Sequence, residues 1–431
     1  MPDVLEELSR IAPISALYSH RETGNMVTYR RDVAVADWAC ARGVPWHEFS
    51  QNGVVRRLKS RDGWSARWLE RMSSPLLPEP EHLVPAMGIA PEGPRTPKEL
   101  GRTEGGPPDG QPGGEAEAHR TLRSFLLERG QNYRAAMSSP VEGWDGCSRI
   151  SPHLAWGTIS MRYVHQATVR RYHDLKGLRG ADATAWRQSL VSFGARLRWH
   201  CHFMQKLETE PRLEFDNMAR AYDGLREAEF DEGRFAAWCT GRTGYPMVDA
   251  CMRALRRTGW INFRMRAMLV SFASYHLWLH WREPALHLAR LFVDYEPGIH
   301  FSQVQMQSGV TGINAVRIYS PTKQALDQDP QGTFIRAHVP ELRGVPLRFL
   351  AEPWRMPPDE QVRARCIVGR DYPRPIVDHV AAVAHAKKRI FAVRRTVAAR
   401  EEAQGVFETH GSRRGPRRRP SRGSPRGRSA D

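Results

Sequence analysis

The chain has 431 residues, 41% hydrophobic and 26% charged, which is enough apolar content for two domains with cores of their own. Its formal net charge of +17 favours a polyanionic partner and says nothing of the fold. No stretch reaches about 18 apolar residues without charge, so no transmembrane helix is indicated, and six cysteines without one CxxC pair leave a zinc or iron–sulfur site unsupported. The acidic start MPDVLEELSRIAP lacks an apolar signal core, so the cytoplasm is the expected compartment.

Residues 1–75 read as part of an α/β unit. ISALYS (14–19) and VPWHEF (44–49) are strand candidates, and YRRDVAVADWACARG (29–43) fits a helix stopped by Gly43. Residues 52–72 read as a turn and basic helical segments. The strands are too few for a complete doubly wound sheet, and no Gly-rich phosphate motif is present. Residues 76–115 form a Gly/Pro-rich linker, expected to be exposed, mobile and without function.

From 116 to 407 the pattern is helical. Residues 183–208 form one long bent helix or a pair. Met247, Val248, Cys251, Met252 and Leu255 recur at helical spacing before Gly259. Residues 261–281 are apolar and aromatic, as core helices are. Residues 382–407 read as one basic amphipathic helix. The segment 408–431 is expected to be disordered; its last 20 residues hold eight arginines against one aspartate, a net +7.

Six segments in order, SRISPHLAWGTIS (148–160), RLRWHCHFM (196–204), TGYPMVDACMRALRRTGW (243–260), FRMRAMLVSFASYHLWLHWRE (263–283), RIYSPTKQALDQDPQGTFIRAHVPEL (317–342) and EPW (352–354), resemble the photolyase and cryptochrome family. The resemblance implies a partial Rossmann-like α/β N-terminal segment, then a large all-helical domain holding FAD. Residues 22–58 resemble the later half of the family's antenna domain. The family's opening strand and Arg-rich turn do not precede them, so a truncated or misassigned start is expected, with no ground for an antenna chromophore. The implied activity is a photolyase-type carbon–carbon lyase, passing an electron from light-excited reduced flavin to a pyrimidine dimer in DNA. A cryptochrome-like photoreceptor is the alternative. Damaged DNA is the expected partner, and a monomer the expected state.

A diphosphate calls for hydroxyls, N–H groups at a helix start and a cation. Ser148, Arg149 and Ser151 supply these, with Cys147 where the family usually has Thr; Ser151 before Pro152 also reads as a plain helix N-cap. By resemblance, Tyr133 approaches the same phosphates, Arg266 and Asp294 pair beside the flavin ring, Arg264 is a second cation, and Glu296 replaces a second Asp. His300 stands where the family sets a residue against the ring, commonly Asn, and a histidine's charge responds near neutral pH. Trp199 matches the family tryptophan that stacks on the flipped lesion. Trp281 matches the middle member of the family's electron-transfer triad. The proximal member falls at Val304, and Trp238, Trp260, Tyr275 and Trp278 are the candidates for another route. Arg196 replaces a lesion-cavity carboxylate, and Phe263 replaces an asparagine. Gln303, Gln305 and Gln307 are read as cofactor amides or polar fill. Arg253, Arg256 and Arg257, with Lys387, Lys388, Arg389, Arg394 and Arg395, are read as DNA phosphate contacts or a solvated basic face.

Overall fold

A computed structural model describes residues 1–82, 84, 95–96, 98–101 and 105–412. Most of the expected linker's centre and of the Arg-rich tail therefore lies outside the described residues. Within them the chain is mainly helical with one small parallel sheet, β1 (Leu17–His20) and β2 (Trp46–Phe49), paired from Leu17–Trp46 to His20–Phe49. The helix Met26–Ala41 crosses between the strands, capped by Asn25, whose side chain accepts from the amides of Val27 and Thr28. Gly43 has φ +61°, the left-handed conformation that stops a helix cheaply only at glycine. A helix at Pro2–Ile11 precedes them, with Pro in its first turn and no buried residue.

The helix Trp64–Ser73 joins the small unit to the rest of the molecule. Its Trp64, Trp68 and Met72 are buried in one apolar cluster with Phe125, Trp186, Leu190 and Phe193. A second cluster holds the later helices, including Pro246–Thr258, Phe263–Ser271 and Arg282–Leu291. Residues 181–209 form one unbroken helix of 29 residues. It packs on Pro297–Ser308, where Gly298 lets the two backbones close: a Cβ there would lie 2.6 Å from Met204 Cα.

Two expectations are corrected here. Residues 382–407 are two helices, His379–Arg394 and Val397–His410, because the Thr396 side chain caps the second by accepting from Ala399 N. The stretch 105–111 is a strap, not a free linker. Asp109 N donates to Arg257 O at 2.9 Å, and Gln111 Nε2 donates to Arg149 O at 2.9 Å. Among the described residues no helix is long and apolar enough to cross a membrane.

Candidate cofactor and substrate site

Arg266 and Asp294 form a two-pronged ion pair, Nη1 to Oδ1 and Nη2 to Oδ2, both 2.9 Å. Arg266 Nε donates to Ile261 O at 2.8 Å, fixing the fork's direction. Three of the five guanidinium N–H groups are thus used and two remain. Its plane lies 4.1 Å from the Phe292 ring centroid. Ser151 Oγ donates to Asp294 Oδ2 at 2.7 Å. Ser151 is therefore not the N-cap expected of it. Ile150 takes that position, and the helical turn Ser151–Ala155 is too short to carry much dipole.

Arg149 closes this end. Its guanidinium lies between the rings of Trp144 and Trp260, 3.9 and 4.1 Å from their centroids. The residue holds φ +57°, which costs free energy for any side chain except glycine. Burial lowers its pKa to about 10, the nearby Asp294 opposing that fall. Arg129 shapes the preceding loop by donating to the carbonyls of Asp145 and Ser148, each at 2.7 Å, and of Cys147. Ser148 Oγ accepts only a long bond from Ile150 N, 3.4 Å. Gln111 Nε2 also donates to His153 Nε2, 3.0 Å, so His153 carries its proton on Nδ1, which donates to Thr158 Oγ1.

Several polar atoms around this end are buried without a hydrogen-bond partner: Arg149 Nε, His200 Nδ1, Asn262 Oδ1 and Arg264 Nε. His200 is close enough to Asp294 to feel its charge, yet burial lowers its pKa to about 4. Unpartnered buried donors and acceptors are costly unless something fills them. This set, with two spare N–H groups on Arg266, fits a ligand bearing phosphates and a polar ring. Sequence reading singled out none of His200, Trp144 and Arg129, although His200 lies within the quoted segment 196–204.

Other expected residues are placed differently. The Tyr133 hydroxyl faces Arg196, and burial pushes its pKa up to about 12. Glu296 is pushed up to about 8 by burial, its charged neighbour being Glu22. The acid is thus largely protonated at neutral pH. His300 Nε2 donates to Ala285 O at 2.8 Å, leaving Nδ1 as an acceptor. Burial lowers its pKa to about 4, so the expected response near neutral pH is corrected: His300 stays neutral there. Gln305 holds a loop, accepting from Met218 N and donating to the carbonyls of Leu213 and Asp216. Gln303 Oε1 is buried and unpartnered.

Trp199 is 37% exposed, its ring 5.0 Å from His202 and 5.5 Å from Phe203. Phe263 is exposed and Val304 buried. Trp281 is fully buried, and its Nε1 donates to Asn217 Oδ1 at 2.7 Å. Among the described residues the four alternative aromatics do not form one chain of ring contacts. Trp260 meets Trp144, Trp238 meets Phe235 and His287, and Tyr275 and Trp278 flank Arg226. Four expected DNA contacts are already committed within the fold. Arg253 bonds both oxygens of Glu341, and Arg257 bonds Asp109. Arg389 pairs with Glu229, and Arg394 donates to Asn314 O. Lys387, Lys388 and Arg395 are exposed. A shallow depression of about 40 Å³, open to solvent, lies by the sheet, but Glu22, Asp32 and Glu208 line it and would repel a diphosphate.

Residues 193–392 match the family model for the FAD binding domain of DNA photolyase. A deoxyribodipyrimidine photo-lyase of Halobacterium salinarum is 30% identical over 365 residues, which is 81% of this chain and 73% of the relative. The chain belongs to the photolyase/cryptochrome family. Within it, a deoxyribodipyrimidine photo-lyase of Alkalihalophilus pseudofirmus is 34% identical over 269 residues, 62% of this chain. That match spans 53% of the relative's length, about half. The fold follows that of a cryptochrome of Synechocystis sp., with TM-score 0.75 at 23% identity, over 90% of this chain and 81% of that one. The cofactor of the family's helical domain is FAD.

Proposed function

We propose that the chain is an FAD-binding, blue-light-driven DNA repair protein of photolyase type, a carbon–carbon lyase acting on pyrimidine dimers. The observation that carries this is the Arg266–Asp294–Ser151 set, surrounded by buried polar atoms that lack partners. FAD, when bound, supplies light absorption and the electron that opens a dimer. Arg149 and Arg266 offer cationic charge to phosphate or an anionic ring, and Asp294 offers an acceptor fixed in direction by two partners. Ser148 and Ser151 offer hydroxyls beside them. Tyr133, Arg264, Glu296 and His300 complete the proposed lining, with His300 presenting an acceptor and Glu296 an acid proton. Trp199 provides an exposed aromatic face for a flipped base. Residues 1–75 are read as part of an antenna-like α/β domain, 116–407 as the FAD domain, and the protein as a monomer.

A second reading, a flavin photoreceptor without repair, is favoured by the lesion side. Arg196 and Phe263 replace groups expected to hold a dimer, and Val304 replaces the proximal member of the electron-transfer triad. One pair of measurements separates the readings. Absorption of the purified protein is recorded in the dark and under blue light with a mild reductant. Bands near roughly 370 and 450 nm that bleach establish a photoactive flavoprotein. Repair of defined dimer substrates then supports the first reading; bleaching without repair supports the second. If no flavin copurifies and added FAD does not bind, both are wrong.

A further inference from the structure

We infer that Gln111, on the strap 105–111, is a positioning residue that holds Arg149 in its left-handed conformation and so sets how tightly the cofactor's diphosphate is bound. This deepens the proposed cofactor reading and rests on it. The strap is stiff for its length. In its sequence GGPPDGQ, Gly110 N donates to Pro107 O at 3.0 Å, which closes a turn with Pro108 at the first corner. Proline there fixes φ and leaves little conformational freedom to lose. One part of the strap is fastened beside Trp260. Asp109 N donates to Arg257 O at 2.9 Å, and the Asp109 carboxylate pairs with Arg257. Pro107 lies on Gly259, where a Cβ would come 3.0 Å from Pro107 Cγ. The next part is fastened to the Arg149 loop. Gln111 Nε2 donates one N–H to Arg149 O at 2.9 Å and the other to His153 Nε2 at 3.0 Å. An amide turned the other way would set its oxygen against the Arg149 carbonyl. The strap thus joins the backbones on both sides of the contact between the Arg149 guanidinium and the Trp260 ring.

Arg149 needs such a hold. A φ of +57° is disfavoured for arginine, so partners must keep it there. Arg129 fixes the carbonyls of Asp145, Cys147 and Ser148, and Gln111 fixes the next one, that of Arg149. Ile150 follows with φ −86° and ψ −11°, which is right-handed. A left-handed residue followed by a right-handed one turns successive amide N–H groups to one side, a cup for anionic oxygens. Among the described residues neither Arg149 N nor Ser151 N has a hydrogen-bond partner. If Arg149 relaxed to negative φ, its carbonyl and the Ile150 amide would swing together as one peptide plane. The cup would open, and the guanidinium would leave its place between Trp144 and Trp260. The Gln111 bond to Arg149 O opposes that swing directly. The segment read from sequence as a linker without function therefore carries a cofactor-positioning group.

The test uses the full chain, freed of flavin and titrated with FAD by fluorescence quenching. Gln111→Leu keeps much of the side chain's bulk and removes both donors. A neutral hydrogen bond is worth roughly two- to twelvefold in an equilibrium constant, and FAD is expected to bind about fivefold more weakly. In an Arg149→Gly background the same change is expected to cost less than about twofold. Glycine takes the left-handed conformation unaided and has no guanidinium to place. Unchanged affinity on replacing Gln111, or an equal loss in both backgrounds, overturns the proposal. Gln111→Asn, whose amide stops one carbon short of Arg149 O, is expected to match the leucine variant and decides the matter if that variant does not fold. Hydrogen exchange at the Ile150 amide is read on the same proteins without flavin. It is expected to be about fivefold faster in either Gln111 variant, and equal rates overturn the positioning role. If the native protein does not bind FAD, the cofactor reading and the diphosphate role fall together, while the exchange rates still decide whether Gln111 holds Arg149.

Discussion

The two ends of the site are built on different terms. At the ion-pair end the buried carboxylate is fully answered: Asp294 takes three hydrogen bonds from Arg266 and Ser151, while Arg149 packs against two tryptophans with its Nε left open. Beneath Trp199 the account is unbalanced. Lys206 is 4% exposed, its ammonium 5.3 Å from the Phe203 ring, with Arg61 as a like-charged neighbour. The first arrangement is what a domain needs to hold one fixed ligand. The second tolerates instability on a face that must meet something variable. On the proposed reading, the first end holds the cofactor and the second meets the substrate.

The sharpest way to break that contrast is Asp294→Ala. It leaves Arg266 partly buried and unpaired, a change that costs about 3–5 kcal/mol for a buried pair, less where solvent reaches it. We expect flavin occupancy to fall at least tenfold, read from visible absorbance; unchanged occupancy would remove the ion pair from the cofactor site. Lys206→Met tests the other end. Burial lowers the Lys206 pKa to about 7 from 10.5. Below pH 7 both states hold the proton and the folded one bears its full burial cost. Between pH 7 and 10.5 the unfolded chain binds the proton more, so stability rises with pH. At about 1.4 kcal/mol per pH unit, the cost near pH 7 is on the order of 3–5 kcal/mol. The variant is expected to unfold at higher urea concentration at pH 7 and to lose most of that alkaline rise.

Trp199→Ala separates the ends directly. A lost stacking surface costs about 1–3 kcal/mol, so we expect roughly tenfold weaker binding of dimer-containing duplex with flavin absorbance unchanged. A parallel loss of flavin would show that the two ends are one unit. The smallest effect belongs to His300→Asn. His300 is neutral above its lowered pKa of about 4, so the native protein and the variant are expected to share one photoreduction profile from pH 5.5 to 8. A step near pH 6.5 confined to the native protein would show a protonating His300. Below pH 6.5 the same lowered pKa works against the native fold, because the unfolded chain takes up the proton first.

Local order was legible wherever periodicity and caps decide it. The Met247–Leu255 spacing gives the helix Pro246–Thr258, and the long helix around Trp199 follows from its apolar face. Pairing of Arg266 with Asp294 was legible only through family likeness, since 28 residues separate them. Arg149 in its tryptophan sheath, the strap at Gln111 and the orphaned His200 were not legible at all. Each is set by partners remote in sequence and by backbone shape. The alternating glutamines stayed open between two readings because a side-chain amide serves a loop as well as a ligand, and Gln305 serves a loop. The break at Thr396 was hidden by alanines and charges that suit either one helix or two.

The small sheet carries a last consequence. Two parallel strands have two open edges, and such a pair is marginal outside a larger sheet. Tyr18 and Phe49 stack on its surface, both exposed. In contrast, Asp249 is buried under bonds from the Tyr372 hydroxyl, the Thr243 hydroxyl and amide, and the Gly244 amide. In deuterated water the amides of Leu17–His20 will exchange through local opening, long before that of Thr243. The strand corner thus opens and recloses as its own cooperative unit while the helical body stays shut.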